Sequence, residues 1–433
     1  MAGNVAERPL KVAVAGLGTV GGGVVKLLQA NENALALRTG RGIAITAVSD
    51  RYRRDRGFAV DGYAWYDDAV VMAADADADV VVELIGGAEG AAKHVCETAI
   101  ARGRHVVTAN KALLAKHGMA LAAAAEAAGV VLAYEAAVAG AIPIIKALRE
   151  GLIGNRRTRV FGILNGTCNY ILTQMRESGR EFQTVLAEAQ ALGYAEADPS
   201  FDVDGVDAAH KLAILATVAF GCTLDFDAVH IEGIRHVSPV DIAFAEELGY
   251  RIKLLGIASL TDGGVERRVH PCMLRQDAAV AHVDGVFNAV VADGDFADRI
   301  VQEGRGAGER PIAAPSSPTS PTSPAPAGAD IRCPGEPAHA VPAVPMSRHR
   351  GCYYVRLMVL DQPGVLADVT SILRDDAVSI EAVLQRARAP GEAVPVVMTT
   401  HETEEASMVH ALRRIGELPS STEPPRMIRI EPF

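Results

Sequence analysis

Residues Val12 to Gly21 read VAVAGLGTVG: a nearly continuous apolar run that breaks into Gly16-Leu17-Gly18-Thr19-Val20-Gly21. An amphipathic stretch follows, from about Thr19 to Leu37. The order predicts a buried strand, a tight turn and a helix, which is what a dinucleotide requires. Gly16 permits the turn, Gly18 lets the backbone approach a pyrophosphate, and Gly21 lets the helix pack close to the strand. The helix N-terminus then offers N–H groups to phosphate. A GxGxxG alone is a weak signal, but here a second strand, Gly42–Val48, ends at Ser49-Asp50-Arg51, where such folds read the ribose. Asp50 accepting from a 2′-hydroxyl suits NAD, whereas Arg51, Arg53 and Arg54 pairing with a 2′-phosphate suit NADP; the sequence supports either.

Strand and helix patterns alternate from Leu10 to about Tyr134, with apolar strands at Lys11–Ala15, Ile43–Ser49, Val80–Ile85, His105–Thr108 and Val130–Tyr134. Apolar strands joined by helices predict an α/β fold, a doubly wound parallel sheet of Rossmann type, over residues 1–140. Between 141 and 310 the alternation is lost, and mixed helices and strands predict an α+β domain with an antiparallel sheet. Ten of the 22 prolines fall between Arg310 and Met346, so 311–346 reads as a Pro-rich linker. From 347 to 433 the order βαββαβ predicts a ferredoxin-like module. The net charge of −11 argues against nucleic acid or an anionic membrane as partner. No apolar run approaches the ~18 residues of a spanning helix, and the start lacks a signal-peptide pattern. The six cysteines form no CxxC pair, so neither a zinc site nor a disulfide framework is signalled. The expected setting is the cytoplasm.

The densest polar cluster is GYAEADPSFDVDGVDAAHK, residues 193–211. Asp204, Asp207 and Lys211 share one helical face, and an apolar run follows Lys211. That placement suits a lysine held by carboxylates for proton transfer; a solvated helix start fits the pattern equally well. Lys111 follows the fourth strand and is either a ligand for substrate or cofactor phosphate or a surface lysine. Glu135, after the fifth strand, precedes a loop whose carbonyls would suit a hard monovalent cation; a plain connecting loop is the simpler reading.

The motifs ELIGG (83–87), TANKALLA (108–115), YEAAVAGAIPII (134–145), GILNGTCNYIL (162–172), GYAEADPSFDVDGVDAAHKL (193–212) and GRGAG (304–308) join GLGTVG in one order. Together they resemble the homoserine dehydrogenases, which interconvert homoserine and aspartate semialdehyde with NAD or NADP. LDQPGVLADVTSIL (360–373) is similar to the ACT domains that sense amino acids. The resemblance implies Lys211 and Lys111 as the active-site lysines, with Asp207 orienting Lys211. It implies Glu196, Asp202, Lys111 and Thr167 around the substrate, and Gly304 and Gly306, with the 16–21 loop, Asp50, Arg51 and Lys111, around the cofactor. It further implies sodium at Glu135 and the backbone of Val138, Gly140 and Ile142, threonine as effector at Asp361 and Gly364, and a homodimer or homotetramer. A related amino-aldehyde dehydrogenase, or a catalytically impaired amino-acid sensor, are the other readings.

The chain departs from the family after GRGAGERP, where an apolar helix of the type TASAVVADI is the norm. Ala314–Ala325 reads APSSPTSPTSPA instead, and prolines at that spacing are expected to forbid the helix. The stretch can be encoded so that another frame reads AVVADIADIAR, which points to a local frameshift restored before Met346; a natural Pro/Ser linker is the alternative. Codons incompatible with that frame in the gene would dispose of the frameshift.

Overall fold

A computed structural model describes residues 8–317, 340–386 and 391–433. Strands β1 (Leu10–Ala15), β2 (Ile43–Ser49), β3 (Ala64–Tyr66), β4 (Val80–Glu83), β5 (His105–Thr108) and β6 (Leu132–Ala133) form a parallel sheet in the order β3-β2-β1-β4-β5-β6. Its strands are apolar on both faces because helices cover both. Val12, Val14, Val80 and Val82 pack with Val24, Val25 and Leu28, while Ala13, Ala15, Val81 and Val106 face the opposite layer with Val95, Ala99 and Leu114. The strand order reverses between β1 and β4, so a crevice opens where β1 runs into Gly16 and β4 ends at Glu83. The amphipathic stretch after the glycine loop is two helices rather than one, Thr19–Ala30 and Glu32–Thr39. Asn31 leaves the helical conformation between them, and its amide donates to the Leu27 carbonyl at 3.0 Å.

The rest of the chain builds around a second sheet. Strands β7 (Arg157–Ile163), β8 (His230–Ile231), β9 (Tyr250–Thr261), β10 (Gly264–Arg275), β11 (Phe287–Gly294) and β12 (Asp298–Arg305) come first. The C-terminal module adds β13 (Arg350–Leu360), β14 (Ile380–Gln385), β15 (Ala393–Thr400), β16 (Thr403–Glu404) and β17 (Arg426–Glu431). The main path is β12-β11-β7-β9-β10-β17-β13-β15-β14. All its pairs are antiparallel except β10 with β17, where Cys272, Met273 and Leu274 lie parallel to Arg429, Ile430 and Glu431. The α+β and ferredoxin-like expectations therefore meet in one continuous sheet. The helix Val206–Phe220 packs on one face through Leu212, Ala216 and neighbours. On the other, Phe433 stacks on Phe161 with ring centroids 3.8 Å apart.

Buried charges also join the module to the body. Arg356 of β13 donates from Nε to Asp241 Oδ1 at 2.7 Å, and Tyr354 donates to the same oxygen at 3.1 Å. Asp241 also closes a capping box with Ser238 at the start of the helix Pro239–Glu247.

A helix forms at the start of this segment and reaches one residue past Pro315. Glu309–Ser316 is helical and packs on the helix after the glycine loop, with Ala313 buried in that core. Pro311 sits in the first turn, where no intrahelical N–H bond is due. Past Pro315 the Ser316 and Ser317 hydroxyls donate to the carbonyls of Ile312 and Ala313 at 2.7 and 2.8 Å. Most of the stretch read as frameshifted, from residue 318 to 326, lies outside the described residues. The far end of the Pro-rich segment is bonded to β10: Val265 N–H donates to Pro342 O at 2.9 Å, and Val344 N–H to Val265 O at 3.1 Å.

Candidate active site

The glycine loop has the geometry that a dinucleotide needs. Gly16 has φ +92°, and a β-carbon on Gly21 would lie 1.9 Å from the Gly16 carbonyl oxygen. A β-carbon on Gly18 would meet nothing within 4 Å, so that position faces open space. Gly21→Ala is accordingly expected to destabilise by about 1–3 kcal/mol, the usual range for overpacking, and to weaken NADPH binding in a fluorescence titration. Unchanged binding would show that the loop yields.

Asp50 is engaged by its own chain. Leu17 N–H donates to Asp50 Oδ2 at 3.0 Å, and Arg56 pairs with that oxygen at 3.0 Å while donating to the Leu17 carbonyl at 2.9 Å. Tyr52 N–H reaches Oδ1 at 3.3 Å. Arg51 is exposed. A cleft of about 420 Å³ opens beside this clasp, lined by Gly18, Thr19, Lys26, Arg54, Arg56 and Phe58 among others.

At the carboxyl ends of β4 and β5 the chain fixes a lysine. Buried Glu83 accepts from the N–H groups of Ile85 and Gly86 and from the Thr108 hydroxyl at 2.6 Å. Asn110 caps the helix Lys111–Ala127, accepting from Leu113 N–H at 3.1 Å. Lys111, the first residue of that helix, reaches across to the second half of the molecule, where its Nζ lies 3.1 Å from Asp207 Oδ1. Lys211, one turn beyond Asp207 on the helix Val206–Phe220, donates to Asp207 Oδ2 at 2.8 Å and to the Leu164 carbonyl at 2.7 Å. Asn165 bridges the two carboxylates, donating to Asp202 Oδ1 at 2.7 Å and Asp207 Oδ2 at 2.8 Å.

Burial alone would raise the Asp207 pKa, but Lys211 and Lys111, with the Lys211 and Asn165 hydrogen bonds, hold it below the usual carboxylate range. A depressed native pKa stabilises above the unfolded value, near ~3.9, and that contribution is lost only as pH falls through the native value. Asp207 therefore stays ionised at neutral pH. Asp202 is shifted the other way, upward, by burial and by the Asp207 charge.

The expected residues do not all converge. Thr167 donates to the Tyr194 carbonyl at 2.8 Å. Glu196 is exposed on the same loop, and its carboxylate makes no hydrogen bond or ion pair among the described residues. Gly306 packs against the Asn288 amide and Gly304 against Ile142, both bordering the 139–142 loop rather than the glycine loop. In that 139–142 loop Ala139 and Gly140 have φ of 55° and 54°. Glu135 accepts the N–H groups of Ile145 and Lys146 at 2.8 and 2.9 Å, and burial pushes its pKa up. Gly364 is left-handed, with open space where a β-carbon would stand, at the start of the helix Val365–Asp375, and Asp361 N–H donates to Glu392 O at 2.9 Å. Asn165 and Glu83 were missed in the sequence; the Asn-Gly before a helix start was the available signal for Asn165.

Among the described residues, His270, Cys272 and Glu431 are a buried group with metal-ligand atoms within 4.8 Å of one another. Arg268 already forks onto Glu431 at 2.9 and 3.2 Å, and burial together with Arg429 and Arg268 pushes the His270 pKa down. Two guanidinium groups make that pocket hostile to a cation. No described helix is long and apolar enough to cross a membrane.

Comparison with known proteins gives this geometry a family. Residues 143–315 match the family described as homoserine dehydrogenase, residues 16–135 its NAD binding domain, and residues 353–420 the ACT domain. A homoserine dehydrogenase of Pseudomonas aeruginosa is 43% identical over 432 residues, covering 98% of this chain and 99% of that one. One of Neisseria gonorrhoeae is 42% identical over 437 residues, with 98% and 99% covered. The crystal structure of a homoserine dehydrogenase from Thiobacillus denitrificans superposes with a TM-score of 0.90 at 42% identity, covering 98% of each chain. A hyperthermophilic archaeal homoserine dehydrogenase in complex with NADPH covers 71% of this chain and 95% of its own, with a TM-score of 0.61 at 25% identity. With both enzymatic domains, the ACT domain and near-complete coverage of these relatives, the chain belongs to the homoserine dehydrogenase family, NAD(P)-dependent oxidoreductases.

Proposed function

We propose that the chain interconverts homoserine and aspartate semialdehyde, serving threonine, methionine and isoleucine synthesis, with Lys211 as the proton-transfer group. The observation that carries this is Asp207, held ionised between Lys111 of one domain and Lys211 of the other. An ammonium has three donors; Lys211 uses two, on Asp207 and Leu164, which leaves one for a substrate oxygen. Lys111 is the more exposed lysine and suits the substrate carboxylate, while Asp202 and Glu196 supply negative charge for its ammonium. The bound nicotinamide supplies or accepts a hydride. Homoserine-dependent reduction of NADP⁺ or NAD⁺ by the purified chain tests the proposal; no reduction with either would reject it. The intact lysine–carboxylate cluster gives no support to an impaired sensor.

Asp50 Oδ2 is taken by Leu17 and Arg56, and Lys26 in the adjacent cleft pairs with Glu309 at 2.7 Å, whereas Arg54 lines that cleft, an arrangement that favours a 2′-phosphate and hence NADP. Arg54→Ala is expected to lower kcat/KM for NADP⁺ about tenfold, the scale of one charge-assisted contact, and to leave NAD⁺ nearly unchanged. Equal loss with both cofactors would remove Arg54 from cofactor choice.

Glu135 is a half-buried carboxylate that accepts two backbone N–H groups, beside a loop that is left-handed at Ala139 and Gly140. This fits sodium held by Glu135 with the backbone of Val138, Gly140 and Ile142. Replacing NaCl by choline chloride should lower the melting temperature of the native chain but not of Glu135→Gln; identical shifts would exclude the site.

For the ACT domain, threonine at Asp361 and Gly364 is the proposed effector, acting in a homodimer or homotetramer. Threonine should inhibit the full chain and lose that effect in Asp361→Ala; inhibition that survives the change would move the site elsewhere. A chain cut near Arg310 is a poor test, because it also strips β17 from β10.

A further inference from the structure

The active-site helix Val206–Phe220 begins at Gly205, whose φ is +88°. A β-carbon on Gly205 would sit 3.2 Å from Ile231 and Val269 and 3.4 Å from the Glu232 carbonyl oxygen. One residue on, a β-carbon on Gly233 would lie 2.2 Å from the Val203 carbonyl oxygen and 2.5 Å from Asp204 Cα. Ile234 N–H donates to Val203 O at 2.9 Å, and Arg235 forks onto Asp204 while donating to the Ser200 hydroxyl at 3.0 Å. The segment 231–235 is thus pressed, without slack, against the turn that carries Asp202 and launches Asp207.

What fixes that segment comes from the other end of the chain. Glu232 N–H donates to the Val269 carbonyl at 2.7 Å. Its carboxylate accepts a fork from Arg429 of β17, Nη1 to Oε2 at 2.9 Å and Nη2 to Oε1 at 2.8 Å, and His230 Nε2 lies 2.7 Å from Oε1. Arg429, only 2% exposed, also donates to Glu405, Nε to Oε2 at 3.1 Å. A guanidinium is rigid and planar and can hold two carboxylates in fixed directions, which an ammonium cannot.

We propose that Arg429 and Glu232 are positioning residues for the active site. The Arg429 fork fixes Glu232, the 231–235 segment fixes the Asp202–Gly205 turn, and that turn sets where Asp207 presents its carboxylate to Lys111 and Lys211. Neither residue touches substrate or cofactor. The C-terminal domain is on this account part of the catalytic apparatus even with no effector bound. The inference rests on the roles given above to Asp207 and Lys211.

The test is steady-state homoserine oxidation by the full chain. In Glu232→Gln the carboxylate that takes the fork is lost, while Arg429 keeps Glu405. Small misplacements of reacting groups cost about ten- to a hundredfold in rate, so kcat should fall about tenfold with KM for the dinucleotide within about twofold. Arg429→Lys, which keeps the charge and loses the fork, should show the same split and decides the matter if Glu232→Gln does not fold. Glu266→Gln is the control: Glu266 lies in the same buried cluster but pairs with His349 and Arg268 instead of the 231–235 segment, and its kcat should stay near wild type. Wild-type kcat in Glu232→Gln, or an equal loss in Glu266→Gln, overturns the proposal. Lys211→Ala, measured alongside, separates that outcome from an error in the site itself: full activity there would fault the roles of Lys211 and Asp207, not the brace.

Discussion

Lys211→Ala is expected to lower kcat for homoserine oxidation by at least about 10²-fold, the scale of a lost general acid–base group, with the melting temperature little changed. The fold should survive because Asp207 retains Lys111 and Asn165 as partners when Lys211 is gone. Lys211→Arg should fare little better than alanine: a guanidinium keeps the charge but cannot release a proton near neutral pH. Glu196→Ala should differ in kind, raising KM for homoserine with kcat largely intact. Near-wild-type turnover in Lys211→Ala would remove this lysine from proton transfer.

The largest stability effect is expected at Asp241, far from the chemistry. Asp241→Ala removes the buried partner of Arg356 and Tyr354 and opens the capping box of the helix Pro239–Glu247. Leaving a buried cation without its counter-charge costs about 3–5 kcal/mol, so the first transition in urea should move to markedly lower denaturant. Asp241→Ala with Arg356→Met should recover part of the loss, since no charge is then stranded. A single variant as stable as wild type would mean that Arg356 finds an alternative, Glu423 at 3.7 Å being the nearest acid.

Local patterns carried the parallel sheet, the glycine loop and the βαββαβ order, because each is written in adjacent residues. Lys111, Lys211 and Asp207 could be singled out from where they fall on strand ends and helix faces, but their meeting at one carboxylate could not, since Lys111 is about a hundred residues from Lys211 and no spacing records it. Asn165 was overlooked because a lone amide before a helix reads as a cap, which it also is. Strand β12 was overlooked because its sequence, DRIVQEGR, is that of an exposed edge paired on one side only. The helix Glu309–Ser316 was not read from the sequence: it begins before the proline-rich stretch, holds Pro311 in its first turn, and ends one residue past Pro315.

The pairing of β10 with β17 bears on how the molecule is made. A ribosome delivers β10 long before β17, so during synthesis the Cys272–Leu274 end of β10, beyond the part paired with β8, waits with an open edge while some 150 further residues emerge, the Pro-rich stretch among them. Open strand edges recruit other chains. The nascent enzyme is thus open to aggregation until β17 emerges, and a premature stop codon in the last domain ahead of β17 should yield insoluble protein rather than an unregulated but active one.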